Sequence, residues 1–547
     1  MPDHSFTLDT HLVDIPARAV RPATITVENG RIASIAPASV GLEPKGFVLP
    51  GFVDAHVHIE SSMLTPAHFA AAAVVHGTVA TVSDPHEIAN VLGVPGVRYM
   101  LDNAATVPFK FAFGAPSCVP ATTFETAGAA LGVEDVTALL DDPRIFYLSE
   151  VMNFPGVLAG DADLLAMIAA AQRRGKPVDG HAPGLRGDDA KRYHAAGIST
   201  DHECFTKAEA LDKLAAGATI QIREGSAARN FEALFPLIDE FPGRVMLCSD
   251  DKHPDELVHG HLDALVRRAV ADGADVFNVL QAACITPVEH YGLPVGQLRV
   301  GDPADFIEVD SLTGFHVLRT FIDGVCVAQG RESKLEVKPA EAINRFDCSP
   351  KSTEDFAVPA EPGKSLRVIE AIDGQLVTHA LELEPAVEDG AALADPPRDL
   401  LKIAVVNRYA DAPPAVGFVT GFGLQRGAIA GSVGHDSHNI VAVGASDAEL
   451  ATAVNAVVEM RGGLSAVDGD RVETLPLPVA GLISLDPCDV VANAYESLDH
   501  LAKAMGSDLR APYMTLSFMA LLVIPSLKLS DRGLFDGESF GFADLWV

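Results

Sequence analysis

Positive charge is scarce in this sequence: 40 Lys and Arg stand against 74 Asp and Glu, a formal charge of −34. Such a surface repels polyanions, which excludes nucleic acid and anionic lipid as expected partners and points to a small molecule. Cysteine is equally sparse. Cys118, Cys204, Cys248, Cys284, Cys326, Cys348 and Cys488 are scattered singly, with no Cys-x-x-Cys pair and an odd total. Neither a disulfide framework nor a thiolate zinc site is expected, and a reducing cytoplasm fits. No apolar run approaches the roughly 18 residues a membrane span needs, and Met1–Asp14 lacks a basic stretch followed by an apolar one, so neither a span nor a signal peptide is expected. No Gly-x-x-x-x-Gly-Lys phosphate loop is present either. What remains is a chain of 547 residues, 48% hydrophobic, long enough for two or three domains with cores of their own.

The stretch Leu49-Pro-Gly-Phe-Val-Asp-Ala-His-Val-His-Ile-Glu-Ser-Ser-Met63 organises the reading of the rest. Its apolar run predicts a buried strand, Val48 to Val57, on which His56 and His58, two residues apart, share a face. Two neutral imidazoles side by side suit one borderline metal ion such as zinc, iron or manganese; two unconnected histidines would read the same way in isolation.

Residues 1–48 alternate as short strands, with Asn29-Gly30 as a hairpin turn, and 301–348 repeat the pattern around Asp323-Gly324. The two pieces are expected to pair as one small β domain. Between them, 49–300 alternate strand and helix. Strands are predicted at Thr78–Val82, Lys110–Phe113, Arg144–Leu148, Pro177–Asp179, Ile198–Thr200, Ala218–Ile222 and Arg244–Cys248 in addition to the first. Eight such units make a (β/α)8 barrel the expected fold, ahead of an open doubly wound sheet. The Pro-, Asp- and Glu-rich 349–400 reads as a linker with irregular loops, and 401–547 as an α+β C-terminal domain.

A barrel carries its chemistry at the carboxyl ends of its strands. Those ends present His56 and His58, Glu150, His181, His202 and Asp250, all of metal-ligand type, although each alone has an ordinary explanation as a cap or a loop histidine. Four histidines and two carboxylates are enough for two ions. Glu150 is the natural bridge because no lysine occupies its loop, and two ions sharing a hydroxide would supply an activated water.

With these residues the chain resembles the amidohydrolase superfamily. The segments Pro50–Met63, Ser83-Asp-Pro-His-Glu-Ile-Ala-Asn90, Ser149-Glu-Val-Met-Asn-Phe-Pro-Gly156, Asp179-Gly-His-Ala-Pro-Gly184, Asp201-His-Glu203, Arg223-Glu-Gly-Ser226 and Cys248-Ser-Asp-Asp-Lys252 narrow the likeness to the adenine deaminase family. It continues through Gly434-His-Asp-Ser-His-Asn439 and Leu516–Phe535. The resemblance implies a cytoplasmic hydrolase of purine salvage, a homo-oligomer such as a homodimer, converting adenine to hypoxanthine and ammonia. It further implies a binuclear manganese or iron centre, in preference to zinc, on His56, His58, Glu150, His181, His202 and Asp250. Other binuclear amidohydrolases acting on a cyclic amide or another aminopurine are the alternative, and a non-catalytic scaffold is disfavoured because all six ligands are present. The unrelated zinc deaminases are excluded by the lack of Pro-Cys-x-x-Cys.

Asp250 is expected to carry protons as well as bind metal. Because strand side chains alternate in facing, Asp251 is expected to turn away toward the next loop. Substrate contacts are expected from Glu60, Ser61, Ser62, Asp84, His86, Glu87, Arg223, Glu224, His435 and His438, with helix capping or internal ion pairs as competing roles. The Gly434–Asn439 loop, dense in polar side chains, is expected near the barrel mouth.

Overall fold

A computed structural model describes residues 5–38, 46–226 and 228–547; part of the N-terminal β piece, 1–4 and 39–45, lies outside the described residues. Asn29 (φ 50°) and Gly30 (φ 77°) both adopt the left-handed conformation a two-residue hairpin requires, as do Asp323 (φ 47°) and Gly324 (φ 75°). Both hairpins join one eight-stranded sheet, in which Phe47–Pro50 pairs parallel with Phe6–Asp14 on one side and antiparallel with Phe306–Val309 on the other. The two flanks of the chain therefore close one β domain.

The expected single strand Val48–Val57 is two strands in two layers. Phe47–Pro50 belongs to the small sheet, and Phe52–Val57 opens the barrel. Gly51 lies at the break, where a Cβ would meet Val79 Cγ1 at 2.3 Å, so only glycine lets the chain pass that close to the second barrel strand.

The barrel strands are Phe52–Val57, Thr78–Ser83, Lys110–Ala115, Ile145–Val151, Val178–Gly180, Thr200–Asp201, Thr219–Arg223 and Val245–Cys248. They form a five-stranded and a three-stranded parallel arc. The arcs meet where Ser199 N donates to Val178 O (2.8 Å), and again where Asp250 N donates to His56 O (2.9 Å). Asp54 locks this second seam: buried on the first strand, its carboxylate accepts from the Ser249 amide (3.0 Å), the Ser249 hydroxyl and His261 Nε2 (2.8 Å). The seam sets the position of both His56 and Asp250. No helix among the described residues is long and apolar enough to cross a membrane.

The stretch expected to be a linker departs from that reading. Leu366–Glu370 and His379–Leu383 are strands of the C-terminal sheet, Leu366–Glu370 running parallel to Ala415–Thr420. The Pro and acidic residues that suggested a linker lie largely in the turns between short strands. The rest of that sheet is Leu401–Val406, Ile440–Gly444, Ala428–Gly431, Gly463–Asp468 and Arg471–Pro476. One face packs Ala404, Val406 and Ala442 on the helix Asp447–Met460, which Ser446 caps by accepting from Glu449 N. The opposite face turns Ile403, Val405, Val441 and Val443 into an apolar core continuous with that of the barrel. The two domains thus share buried surface, which fixes the C-terminal domain over the barrel.

Removing Asp54 leaves Ser249 and His261 with buried, unmatched polar atoms. Asp54→Ala is expected to cost on the order of 3 kcal/mol and to lower the thermal unfolding midpoint; an unchanged midpoint would show that the seam holds without it.

Candidate active site

The carboxyl ends of the strands converge on one small cavity walled by histidines and carboxylates. His56 is the last residue but one of the first strand and His58 follows that strand, their Nε2 atoms 3.1 Å apart. His58 Nδ1 donates to the Asp84 carbonyl (3.3 Å), which leaves Nε2 with its lone pair toward the cavity. The His202 ring stacks on His56 at 4.1 Å between centroids.

Glu150 lies at the centre. Its Oε1 is 3.3 Å from His58 Nε2, and its Oε2 is 2.7 Å from His181 Nδ1 and 3.1 Å from His202 Nε2. Asp250 Oδ1 stands 3.6 Å and 3.4 Å from the Nε2 atoms of His56 and His58. Its other oxygen accepts from Arg223, whose guanidinium also grips Glu203 in a two-pronged pair (2.5 and 2.9 Å). Asp250 is thereby oriented with Oδ1 toward the histidines. Burial opposes its ionised form, but Arg223 and the histidines hold it well below the usual carboxylate range.

These donors fit divalent metal. Imidazole nitrogens and carboxylate oxygens of His56, His58 and Asp250, and again of His56, Glu150 and His202, lie within 4.8 Å of one another. His56 Nε2, His202 Nε2 and His181 Nδ1 all face the Asp250 or Glu150 carboxylate, and imidazole with carboxylate is a usual donor set for such ions. His86 enters the same cluster: with His58, Asp84 and Glu150 it forms a further candidate group.

The C-terminal domain completes the cavity. Leu376, Phe518, Leu521 and Val523 roof it, and Phe518 stacks on His435 with centroids 4.9 Å apart. Glu87 ties the domains together. Its carboxylate pairs with His435 Nδ1 (2.5 Å) and accepts from His438 Nε2, while His438 Nδ1 accepts from Gly434 N (3.3 Å). Burial lowers the His438 pKa, which matches this neutral tautomer. His435 is raised well above the ordinary histidine value, burial being outweighed by Glu87, so the carboxylate faces one imidazolium and one neutral ring.

Of the expected substrate contacts, His86, Glu87, Arg223 and His435 line the cavity, and Asp84, Ser61 and His438 contact residues that do. Glu60, Ser62 and Glu224 are not among its walls. Glu60 accepts from Ile88 N (3.2 Å) and burial raises it to about 7; Ser62 caps its own turn by donating to Ile59 O (2.6 Å). Glu224 points outward to Arg268 (3.1 Å). Asp251 departs most from expectation. The eighth strand ends at Cys248 and Asp250 takes a left-handed φ of 56°, so alternation is broken and both carboxylates face the cavity. Glu203, Asp251 and Asp436 are the charged cavity residues the sequence reading did not assign to the site, and each adjoins or sits between residues it had singled out; the apolar roof, Phe518 among it, was not assigned either.

Residues 47–327 match the amidohydrolase family, and 375–541 match the adenine deaminase C-terminal domain. The adenine deaminase of Salinibacter ruber (strain DSM 13855 / M31) is 59% identical over 545 residues, 99% of each chain. Those of Sulfurovum sp. (strain NBC37-1) and Methanosarcina barkeri (strain Fusaro / DSM 804) are 56% and 52% identical, over 98% of this chain and 99% and 98% of theirs. The chain belongs to the adenine deaminase family. Membership of the amidohydrolase family implies use of divalent metal, for which the donors above are the candidates.

In this adenine deaminase-family chain the roof hangs on one amine. Lys528, buried and without a carboxylate partner among the described residues, donates to the carbonyls of Leu376 (2.6 Å) and Phe518 (3.0 Å), two cavity-lining residues. Burial lowers its pKa to about 7, and a neutral amine still has the two N–H groups these carbonyls need. Between that value and the ordinary lysine value the unfolded chain binds more protons than the folded one, so this group makes stability rise with pH. The thermal midpoint of the native chain relative to Lys528→Met is expected to climb from about pH 7 to about pH 10; a constant difference would contradict the assignment.

Proposed function

We propose that the chain hydrolyses adenine to hypoxanthine and ammonia in purine salvage, in the cytoplasm, where its seven free cysteines stay reduced. The observation that carries this reading is identity with adenine deaminases over nearly the whole chain, including the C-terminal domain that roofs the cavity. The cavity suits such a substrate. A flat heterocycle lies against Phe518, Leu521 and Val523 while its reacting edge meets the histidine and carboxylate floor.

His56, His58, Glu150, His181, His202 and Asp250 would hold two divalent ions, with Glu150 between them because its two oxygens face different histidines. We assign manganese or iron, the metals the family resemblance implies, and the imidazole and carboxylate donors suit either. When bound, such a pair supplies a water acidic enough to react at neutral pH.

The remaining chemistry belongs to the protein. Water oxygen adds to C6 of adenine as the C6–N1 π bond opens and its electron pair moves to N1, and Asp250, held by Arg223 with Oδ1 toward the histidines, takes the water proton. The same carboxyl returns the proton to the exocyclic nitrogen as the N1 pair re-forms the C6–N1 double bond and the bond from C6 to that nitrogen breaks, giving ammonia and the hydroxy tautomer of hypoxanthine. Burial under the roof excludes bulk water and strengthens these charge interactions.

Ammonia release should be specific to adenine in a panel of aminopurines and cyclic amides; ring opening of a cyclic amide without adenine turnover would refute the reading. Asp250→Asn is expected to lower kcat by roughly 100- to 10,000-fold. Glu150→Gln should lose metal, read by elemental analysis, together with turnover; two retained ions with full activity would remove Glu150 from the bridging position.

A further inference from the structure

We infer that Asp251 is the residue that recognises the imidazole-ring N–H of the free base, so that the site takes adenine and rejects purines substituted on that ring. This rests on the adenine reading above. Three observations carry it. Asp251 lines the same cavity as His58 and Phe518, because the left-handed Asp250 turns both adjacent carboxylates inward. Its position is fixed: Ser61, on the turn that follows His58, donates its hydroxyl to Asp251 Oδ1 at 2.5 Å.

The third observation is a count of counter-charges. Glu150 has His181 and His202 as partners, and Asp250 and Glu203 share Arg223. Glu87 has His435, and Asp436 has His86 at 3.7 Å. Asp251 alone among the carboxylates lining the cavity has no cationic side chain within 4.0 Å among the described residues, and Ser61 is the only described donor to its side chain. A buried carboxylate with spare acceptor capacity is costly until a donor arrives.

Free adenine brings such a donor. Its amino group is spent at the reacting edge, and the one remaining N–H is on the imidazole ring. A methyl or ribosyl group there removes the donor and adds bulk beside a carboxylate that stays unpaired. Sites built around a buried hydrogen bond discriminate strongly against ligands that lack the partner.

The test compares kcat/KM for adenine, 9-methyladenine and 7-methyladenine in the metal-loaded native chain, Asp251→Ala, Asp251→Asn and Ser61→Ala, with metal content measured for each. The native chain should prefer adenine over at least one methyl isomer. Asp251→Ala should lower kcat/KM for adenine roughly 10- to 100-fold, mainly through KM, and should shrink that preference by a comparable factor. Asp251→Asn, which keeps an acceptor, should recover part of both. Ser61→Ala should move selectivity the same way by less, and it decides the matter if the Asp251 variants do not fold. An equal loss on all three bases, or selectivity unchanged in every folded variant, would overturn the inference while leaving the deaminase reading intact. Absence of ammonia release from adenine by the native chain would overturn both.

Discussion

Desolvation is the constraint on which the rest of this structure depends. His58, His86, Glu87, Glu150, Asp250 and Asp436 line one cavity and are all buried, so each charge must be balanced inside it. The balance explains otherwise separate features. Arg223 on the seventh strand serves Glu203 and Asp250 together, Glu150 is surrounded by imidazoles from three strands, and Glu87 draws two histidines from a domain more than 300 residues away. A cavity charged this way suits a reaction in which a hydroxide forms and an amine leaves, because fixed partners need no rearrangement as charge develops.

The fold supplies what the chemistry needs at two levels. Asp54 holds the first and last strands together and so sets His56 against Asp250. The C-terminal sheet shares its apolar core with the barrel, and this places Phe518 and Leu376 over the polar floor with Lys528 gripping their carbonyls. Charge lies below and apolar surface above, the division a planar heteroaromatic substrate presents.

Much of this was legible in the sequence, and the failures have physical causes. All eight barrel strands stand near their predicted places because a parallel strand buried on both faces is a short apolar run between turn residues. The register at Asp250 was misjudged: alternation holds only inside a strand, and the strand stops two residues earlier. Gly51 hid a change of sheet inside one apolar run, since a glycine there reports a close approach that no periodicity reveals. The strand Leu366–Glu370 was lost among the acidic and Pro-rich turns on either side of it. His86 was read as a substrate contact although it also stands in a candidate metal group, because the proximity of the second strand's end to Glu150 is a matter of barrel curvature. Asp436 and Phe518 reach the cavity through domain packing, which one sequence without its fold does not display.

The central proposal is that the barrel mouth would hold two metal ions on either side of Glu150, beneath a roof from the C-terminal domain. Anomalous X-ray diffraction at the manganese and iron edges, on crystals of the metal-loaded chain, tests it most directly. The account predicts two peaks in contact with Glu150, one shared with His56 and His58 and the other with His181 and His202. A single peak, or two peaks neither of which touches Glu150, would contradict it.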